Sequence, residues 1–362
     1  MSNCLQLDFF HDKRVFVTGH TGFKGSWLCK LLLLAGAEVT GFALPPQTDP
    51  ALFNLAGLEG EMRSVIGDIR DYDALKAAFD AARPEIVIHM AAQPIVRESY
   101  RDPVGTYSTN VMGTVHLLEC VRRSDSVRSV LNVTTDKVYE NKEWSRGFRE
   151  TDPLDGFDPY SNSKSCSELV THSYRSSFLS ERGIAVSTAR AGNVIGGGDF
   201  SADRIVPDCV RAVQAGEAVK LRNPNSLRPY QHVLDPLSAY LLIVERQYKD
   251  QSLAGWYNVG PESCNCVSTR RLADLFCQAW GSGASWESTG ESGPHEDAVL
   301  TLDCAKICTA LGWQSRWPIE QAVEKTVEWT KTWLTGGSIS SCMERQITVF
   351  FKGGAMTNGT GT

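Results

Sequence analysis

The segment "RVFVTGHTGFKGSWLCKLLLLAGA" places the strongest constraint on the fold. A β-rich apolar run ends in Gly19, Gly22 and Gly25, spaced three apart, and a helical pattern follows at once. A turn this tight lets a pyrophosphate approach the helix N-terminus, where free N–H groups and the helix dipole point at it. A glycine triplet alone is weak, but strand, turn and helix in this order supply the required context. The segment therefore predicts a dinucleotide turn, with Phe23 and Lys24 inside it.

The pattern continues. "EVTGFAL", "RSVIGD", "EIVIHMAA", "SVLNVTT" and "IAVSTAR" read as further strands, separated by helical stretches such as "YDALKAAFDAA" and "YSNSKSCSELVTHSYRSSFLSERG". Continuous apolar strands alternating with helices predict an α/β fold, a doubly wound parallel sheet covered on both faces. Past residue 192 the alternation weakens. We expect a nucleotide-binding domain over 8–192 with a returning contribution around 231–260, and a smaller mixed α/β lobe over 193–335 interleaved with it. The Gly/Ser/Thr-rich tail, 336–362, reads as one short apolar strand with a frayed end.

A chain of 362 residues with 42% apolar content suits a globular protein, and its net charge of −6 argues against nucleic acid or an anionic membrane as partner. Anionic ligands then need local cations. The N-terminus lacks the basic and apolar regions of a signal peptide, and "LCKLLLLAGAEV" is too short to span a bilayer. Eleven cysteines without a spacing framework suit a reducing compartment, so a cytosolic protein is expected. "CNC" at Cys264–Cys266 lacks a second ligand pair, and no metal is expected.

Asp68, ending the third strand in "GD", is placed to meet an adenine amino group. Ala91 and Ala92 leave room for a ribose and pyrophosphate. The second strand ends "GFALPP" without an acid for the ribose 2′-hydroxyl, while His20 and Lys24 could tolerate a 2′-phosphate; the motif leaves NAD and NADP both open.

"TTDKVY" puts an acid and a base, Asp136 and Lys137, at the end of a buried strand. "PYSNSK" puts Tyr160 and Lys164 on one face of a helix start. A free tyrosine is a poor base near neutrality, and a neighbouring ammonium lowers its pKa. After a dinucleotide motif, this pair reads as catalytic.

Together "VTGHTGFKGSWL", "HMAAQPIVRESY", "TTDKVY", "YSNSK" and "ARAGNVIGGGD" resemble the extended short-chain dehydrogenase/reductase family, and within it the CDP-glucose 4,6-dehydratases, over roughly residues 8–335. The resemblance implies NAD as a recycled hydride carrier, CDP-glucose as substrate, a homodimer built on helices around 106–123 and 161–182, and a product used for deoxysugars of polysaccharides such as lipopolysaccharide O-antigen. It implies Ile69, Gln93, Asn110 and Thr134 beside the dinucleotide, Thr135 on the substrate hydroxyl, and Asn193, Arg204, Arg228 and His232 around the sugar nucleotide. Asp136 becomes the acid for a leaving hydroxyl. Lys137 stands where dTDP-glucose dehydratases carry a glutamate base, and reads as base or as stabilising cation. Asp235 reads as a helix cap. The alternatives are a dTDP-glucose or UDP-N-acetylhexosamine 4,6-dehydratase, a 4-epimerase, or a silent dinucleotide sensor.

Overall fold

The computed structural model describes residues 5–142, 144, 146–261, 266–281, 283–289 and 300–352. Cys264 of "CNC" and the end of the tail, from 353, lie outside them.

Six strands stand where the sequence puts them: β1 (Arg14–Thr18), β2 (Glu38–Ala43), β3 (Arg63–Ile66), β4 (Ile86–His89), β5 (Ser129–Val133) and β6 (Ala185–Ala191). A seventh, Trp256–Val259, comes from the second half of the chain and joins β6 in parallel. From that strand the order runs β6, β5, β4, β1, β2, β3, with every pair parallel. This is a doubly wound sheet, and β4, β5 and β6 are buried along their whole length. The chain moves outward from β1 to β3, then returns to β4 on the other side. A crevice opens at the C-terminal ends of β1 and β4, where such folds bind ligands.

Helices cover both faces. On one side Phe16, Phe79, Leu117 and Val121 form a core under Tyr72–Ala82 and Gly113–Arg123. On the other side Trp27, Leu31, Leu241, Trp329 and Phe350 share a single core. The helix Phe23–Leu34 has every residue from Gly25 to Leu32 buried, because it lies between the sheet and the last helix. Its Lys30 is 2% exposed and bridges Glu61 at 3.0 Å and Glu344 at 2.8 Å.

The tail departs from expectation. It is a helix, Ile339–Lys352, not a strand. "ITVFF" is β-branched and aromatic, but Ile339, Cys342, Met343, Gln346, Ile347 and Phe350 are buried at helical spacing, and that face docks on the core. Tertiary packing overrides local propensity here.

In the second half the helices Ile205–Ala215, Thr269–Trp280 and Ile319–Leu334 gather around Val206, Leu221, Leu272, Phe276 and Val323. Two short pairings carry this lobe into the crevice: Val194–Ile195 with Gln231–His232, and Leu227–Arg228 with Val267–Ser268. Among the described residues, no helix is long and apolar enough to cross a membrane.

Candidate active site

The glycine turn is built by contact. Gly19 sits at φ +77°, and a Cβ there would lie 2.8 Å from the Ala91 nitrogen. A Cβ on Gly25 would lie 2.1 Å from the Gly19 carbonyl. Gly22 differs: its Cβ would meet only the Gly19 carbonyl, at 3.5 Å. Gly19 thus lets the turn press on the end of β4 and Gly25 lets it close on itself, while Gly22 leaves space at the N-cap of the helix. A dinucleotide phosphate fits that cradle.

Around it, Thr18 Oγ1 accepts from the Met90 and Ala91 nitrogens, both at 3.1 Å, and fixes the end of β4 beside Ala92. Asn110 is buried and holds the next loop: its Oδ1 accepts from the Gln93 nitrogen at 2.8 Å and its Nδ2 donates to the Gln93 carbonyl. The Gln93 side chain is spent within the same loop, accepting from the Ile95 nitrogen and donating to Thr106. Ile69 is buried against Gly113. Asp68 is bound by the Arg70 guanidinium at 2.5 Å, which holds its carboxyl below the usual range.

His20 and Lys24 do not serve as a 2′-phosphate site. His20 is buried, its Nε2 lies 2.7 Å from Ser64 Oγ, and burial lowers its pKa to about 4, so the ring is neutral. Lys24 turns the other way, into the cavity described next.

That cavity, about 380 Å³, lies between the two halves of the chain. Thr134, Thr135, Asp136, Lys137, Tyr160, Asn193, Arg204 and Arg228 all line it. A larger and shallower hollow of about 860 Å³ lies at the opposite end of the strands, against Arg14, Glu38 and Arg63, and collects none of these groups.

Local structure explains the placement. Thr135 ends the β5 segment and caps the short turn Asp136–Val138. Asp158 caps the helix Pro159–Tyr174 by accepting from the Ser161 nitrogen at 3.0 Å, and Pro159 fits its first turn. Tyr160 then enters the cavity and Lys164 lies one turn behind, its Nζ donating to the Val133 carbonyl at 3.2 Å.

Asp136 is 2% exposed. Its Oδ1 accepts from Thr135 Oγ1 at 3.0 Å, and its Oδ2 finds no hydrogen-bond partner among the described residues. Burial raises its pKa, outweighing the opposing pull of Lys137, Thr135, Arg228 and Lys24. A carboxyl in this state can hold and give a proton. Burial also pushes Tyr160 up to about 12, against the Thr135 hydroxyl and the Arg204 guanidinium. The expected lowering of the phenol by Lys164 is absent: that ammonium is turned to the Val133 carbonyl. Burial and the nearby Lys24 bring Lys164 down to about 8.

The structure corrects one substrate residue. His232 is fully buried, with Nδ1 accepting from the Leu234 nitrogen at 3.2 Å and its ring centroid 4.7 Å from that of Trp317. Pairing of Gln231–His232 with Val194–Ile195 turns it into the core while Arg228, four residues earlier, reaches the cavity. Asp235 is no cap either; its Oδ1 accepts from the Arg316 nitrogen at 2.6 Å.

Comparison with known proteins places the chain. The GDP-mannose 4,6 dehydratase family profile matches residues 16–326. The chain belongs to this family. A CDP-glucose 4,6-dehydratase of Salmonella typhimurium is 47% identical over 350 residues, covering 95% of this chain and 97% of the relative. A dTDP-glucose 4,6-dehydratase of Xanthomonas campestris is 28% identical, over 88% and 94%. Among solved structures, a UDP-glucose 4-epimerase of Thermus thermophilus in complex with NAD superposes with a TM-score of 0.76 at 26% identity, over 88% of this chain and 98% of that one.

Within this GDP-mannose 4,6 dehydratase family member, sequence reasoning missed two groups. Arg97 and Arg222 line the cavity and share Asp203, each at 3.3 Å. Arg97 stood in a quoted segment and Arg222 in none, and only the fold brings them together. Glu168 is fully buried behind Lys164; it accepts from Thr134 at 2.5 Å, Thr188 at 2.7 Å and Arg190 at 2.9 Å. Its position one turn past Lys164 was the available signal.

Proposed function

We propose that this protein is a CDP-glucose 4,6-dehydratase, converting CDP-D-glucose to CDP-4-dehydro-6-deoxy-D-glucose and water. The observation that carries the reading is Asp136: a buried carboxyl of raised pKa in one cavity with Thr135, Lys137 and Tyr160. A 4-epimerase takes and returns a hydride and the 4-hydroxyl proton, and needs no acid for a leaving hydroxyl. The nucleotide is chosen on the likeness to the Salmonella enzyme.

The cradle at Gly22 and the loop fixed by Asn110 would hold NAD, which when bound would supply a reversible hydride acceptor for the carbon 4 and carbon 6 chemistry. Tyr160 takes the proton of the 4-hydroxyl. Asp136 protonates the hydroxyl leaving carbon 6. Lys137 acts at carbon 5, as base when neutral and as counter-charge to the enolate when protonated. Arg97, Arg204, Arg222 and Arg228 supply the cations that a diphosphate requires.

The assignment of 8–192, with a return around 231–260, to the dinucleotide and of 193–335 to the sugar nucleotide belongs to the same proposal. So do a cytosolic location, a product used for polysaccharide deoxysugars such as those of lipopolysaccharide O-antigen, and a homodimer. Val104, Tyr107, Met112, Leu169 and Phe178 are exposed on the helical runs 103–123 and 159–182, which supports pairing through them.

The test is incubation with NAD and, separately, CDP-, dTDP- and UDP-glucose, with products read by mass. Loss of one water from CDP-glucose without net reduced cofactor is expected. Loss from another nucleotide sugar reassigns the substrate, and unchanged mass with inverted sugar stereochemistry reassigns the reaction.

A further inference from the structure

His89 ends β4 and stands level with Thr18 at the end of β1, just before the glycine turn. It does not line the cavity. Its ring is buried with both nitrogens engaged: Nδ1 lies 2.7 Å from Thr18 Oγ1, and Nε2 lies 3.2 Å from Thr114 Oγ1.

The neighbours decide which nitrogen carries the proton. Thr18 Oγ1 already accepts from the Met90 and Ala91 nitrogens, so its own hydrogen is left for His89 Nδ1. Thr114 Oγ1 donates to the Asn110 carbonyl at 2.7 Å, so it can only accept from the ring. The ring is therefore neutral with its proton on Nε2. Burial, with Lys164 nearby, agrees by lowering its pKa to about 3.

From Thr114 and Asn110 the network reaches the Tyr160 helix twice. Ser167 Oγ accepts from Asn132 Nδ2 at 2.9 Å, and its hydrogen is left for Thr114 Oγ1, also at 2.9 Å. Asn110 Nδ2 donates to Ser163 Oγ at 2.9 Å, and Ser163 donates in turn to the Tyr160 carbonyl at 2.7 Å. Ser163 and Ser167 stand one turn apart on the helix Pro159–Tyr174, either side of Lys164 in the chain. Thr18, Asn110, Thr114, Asn132, Ser163 and Ser167 are all buried, which leaves each dependent on the others for its partners.

We propose that His89 is a positioning residue for hydride transfer: its ring, held as the Nε2–H tautomer, fixes the Tyr160 helix against the strand ends that carry the dinucleotide turn. The inference rests on the reading that puts a dinucleotide at that turn and the sugar 4-hydroxyl at Tyr160. Hydride leaves carbon 4 as Tyr160 takes the 4-hydroxyl proton, so the turn and the helix must stay in register. A misplacement of about 1 Å can cost about 10²-fold in rate. The side chains that meet between these elements are Ser, Thr and Asn, which offer little apolar area. Directional hydrogen bonds therefore set the spacing.

His89→Asn keeps an acceptor toward Thr18 and loses the donor toward Thr114. Thr114→Val removes the other end of the same bond at nearly constant volume. Turnover of CDP-glucose, the deuterium isotope effect at carbon 4 and CDP affinity by calorimetry are measured for wild type, both variants and the double variant. Each single variant should be slowed about tenfold or more, with CDP affinity within about twofold of wild type. The isotope effect should be no smaller than that of wild type. The double variant should be no slower than the slower single one, because both cut one link. Losses that multiply, a shrinking isotope effect or a variant as fast as wild type overturn the positioning role. So does CDP affinity that falls in step with the rate, as general loosening would produce.

Nitrogen-15 spectra of the histidine-labelled, cofactor-free wild-type protein give a readout that needs neither a variant nor turnover. The His89 ring should show the neutral Nε2–H form; an Nδ1–H or charged ring contradicts the network. A wild type that turns over no nucleotide sugar overturns the underlying reading and the positioning role with it. With turnover intact, a failure falls on His89 alone.

Discussion

Thr134 Oγ1 donates to Glu168 Oε1 at 2.5 Å, so the strand end bearing Thr135 and Asp136 is tied to the helix bearing Tyr160 and Lys164. The same carboxylate receives Arg190 at 2.9 Å in a pair with both side chains at most 1% exposed. Glu168→Gln leaves a buried guanidinium without its counter-charge and should cost about 3–5 kcal/mol of stability. Replacing Arg190 by Met in the same chain should recover much of that loss. Denaturant titration of wild type, single and double variants checks the pair; additive losses would contradict it.

Asp136→Asn keeps the size of the side chain and removes the acid. Dehydration should fall by about 10²–10⁴-fold. Oxidation at carbon 4 should be less affected, so reduced cofactor is expected to accumulate in a single turnover. Near-ultraviolet absorbance follows it directly.

The glycine turn separates folding from binding. Gly25→Ala drives a Cβ to within 2.1 Å of a backbone carbonyl and should destabilise the domain. Gly22→Ala has ordinary contact at 3.5 Å, so its melting temperature without cofactor should stay near that of wild type. Its dinucleotide affinity should nonetheless drop by about tenfold or more, because the methyl fills the cradle. Calorimetric titration with NAD distinguishes the two.

Asp235 is buried and its pKa is raised to about 7 by burial, against the Arg316 backbone N–H and Ser315. The folded protein therefore keeps this proton up to about pH 7, whereas the unfolded chain releases it near 3.8. Between those values the folded state binds more protons, and stability falls as pH rises. The loss should be on the order of 4 kcal/mol across that window. Asp235→Asn should flatten it, as thermal unfolding at about pH 5 and about pH 8 would register.

A charge placed on the exposed helical face should split the proposed dimer. Leu169→Glu with Phe178→Glu is expected to give a monomer by light scattering, at unchanged far-ultraviolet circular dichroism. A wild-type protein already monomeric at micromolar concentration would remove the dimer from the account.

The first half of the fold was readable because its strands are covered on both faces, which leaves continuous apolar runs. Trp256–Val259 was anticipated only as part of a return around 231–260, not as a strand, because it carries Asn258 in place of a continuous apolar run. In the structure that amide accepts from the Tyr139 hydroxyl at 2.6 Å and donates to the Phe148 carbonyl, satisfying its burial through remote segments. The positions of Thr135, Asp136 and Tyr160 followed from strand ends and a helix start. Arg97 with Arg222, and Glu168 with Arg190, depend on pairings between distant segments that no local period reports. His232 was expected from the family resemblance, but a two-residue pairing sets which side chains face inward there.

Lys30, closed between Glu61 and Glu344, joins the helix Phe23–Leu34 to the helix Ile339–Lys352, made some three hundred residues later. Until residue 344 has emerged, that ammonium lacks one of its two carboxylates, and the surface awaiting Ile347 and Phe350 stays wet. The strands β1–β6 can form their sheet early, but the helix Phe23–Leu34 cannot be covered before residues 339–352 have been made. A chain cut before Ile339 should therefore keep a partly open core, although every residue lining the cavity would be present.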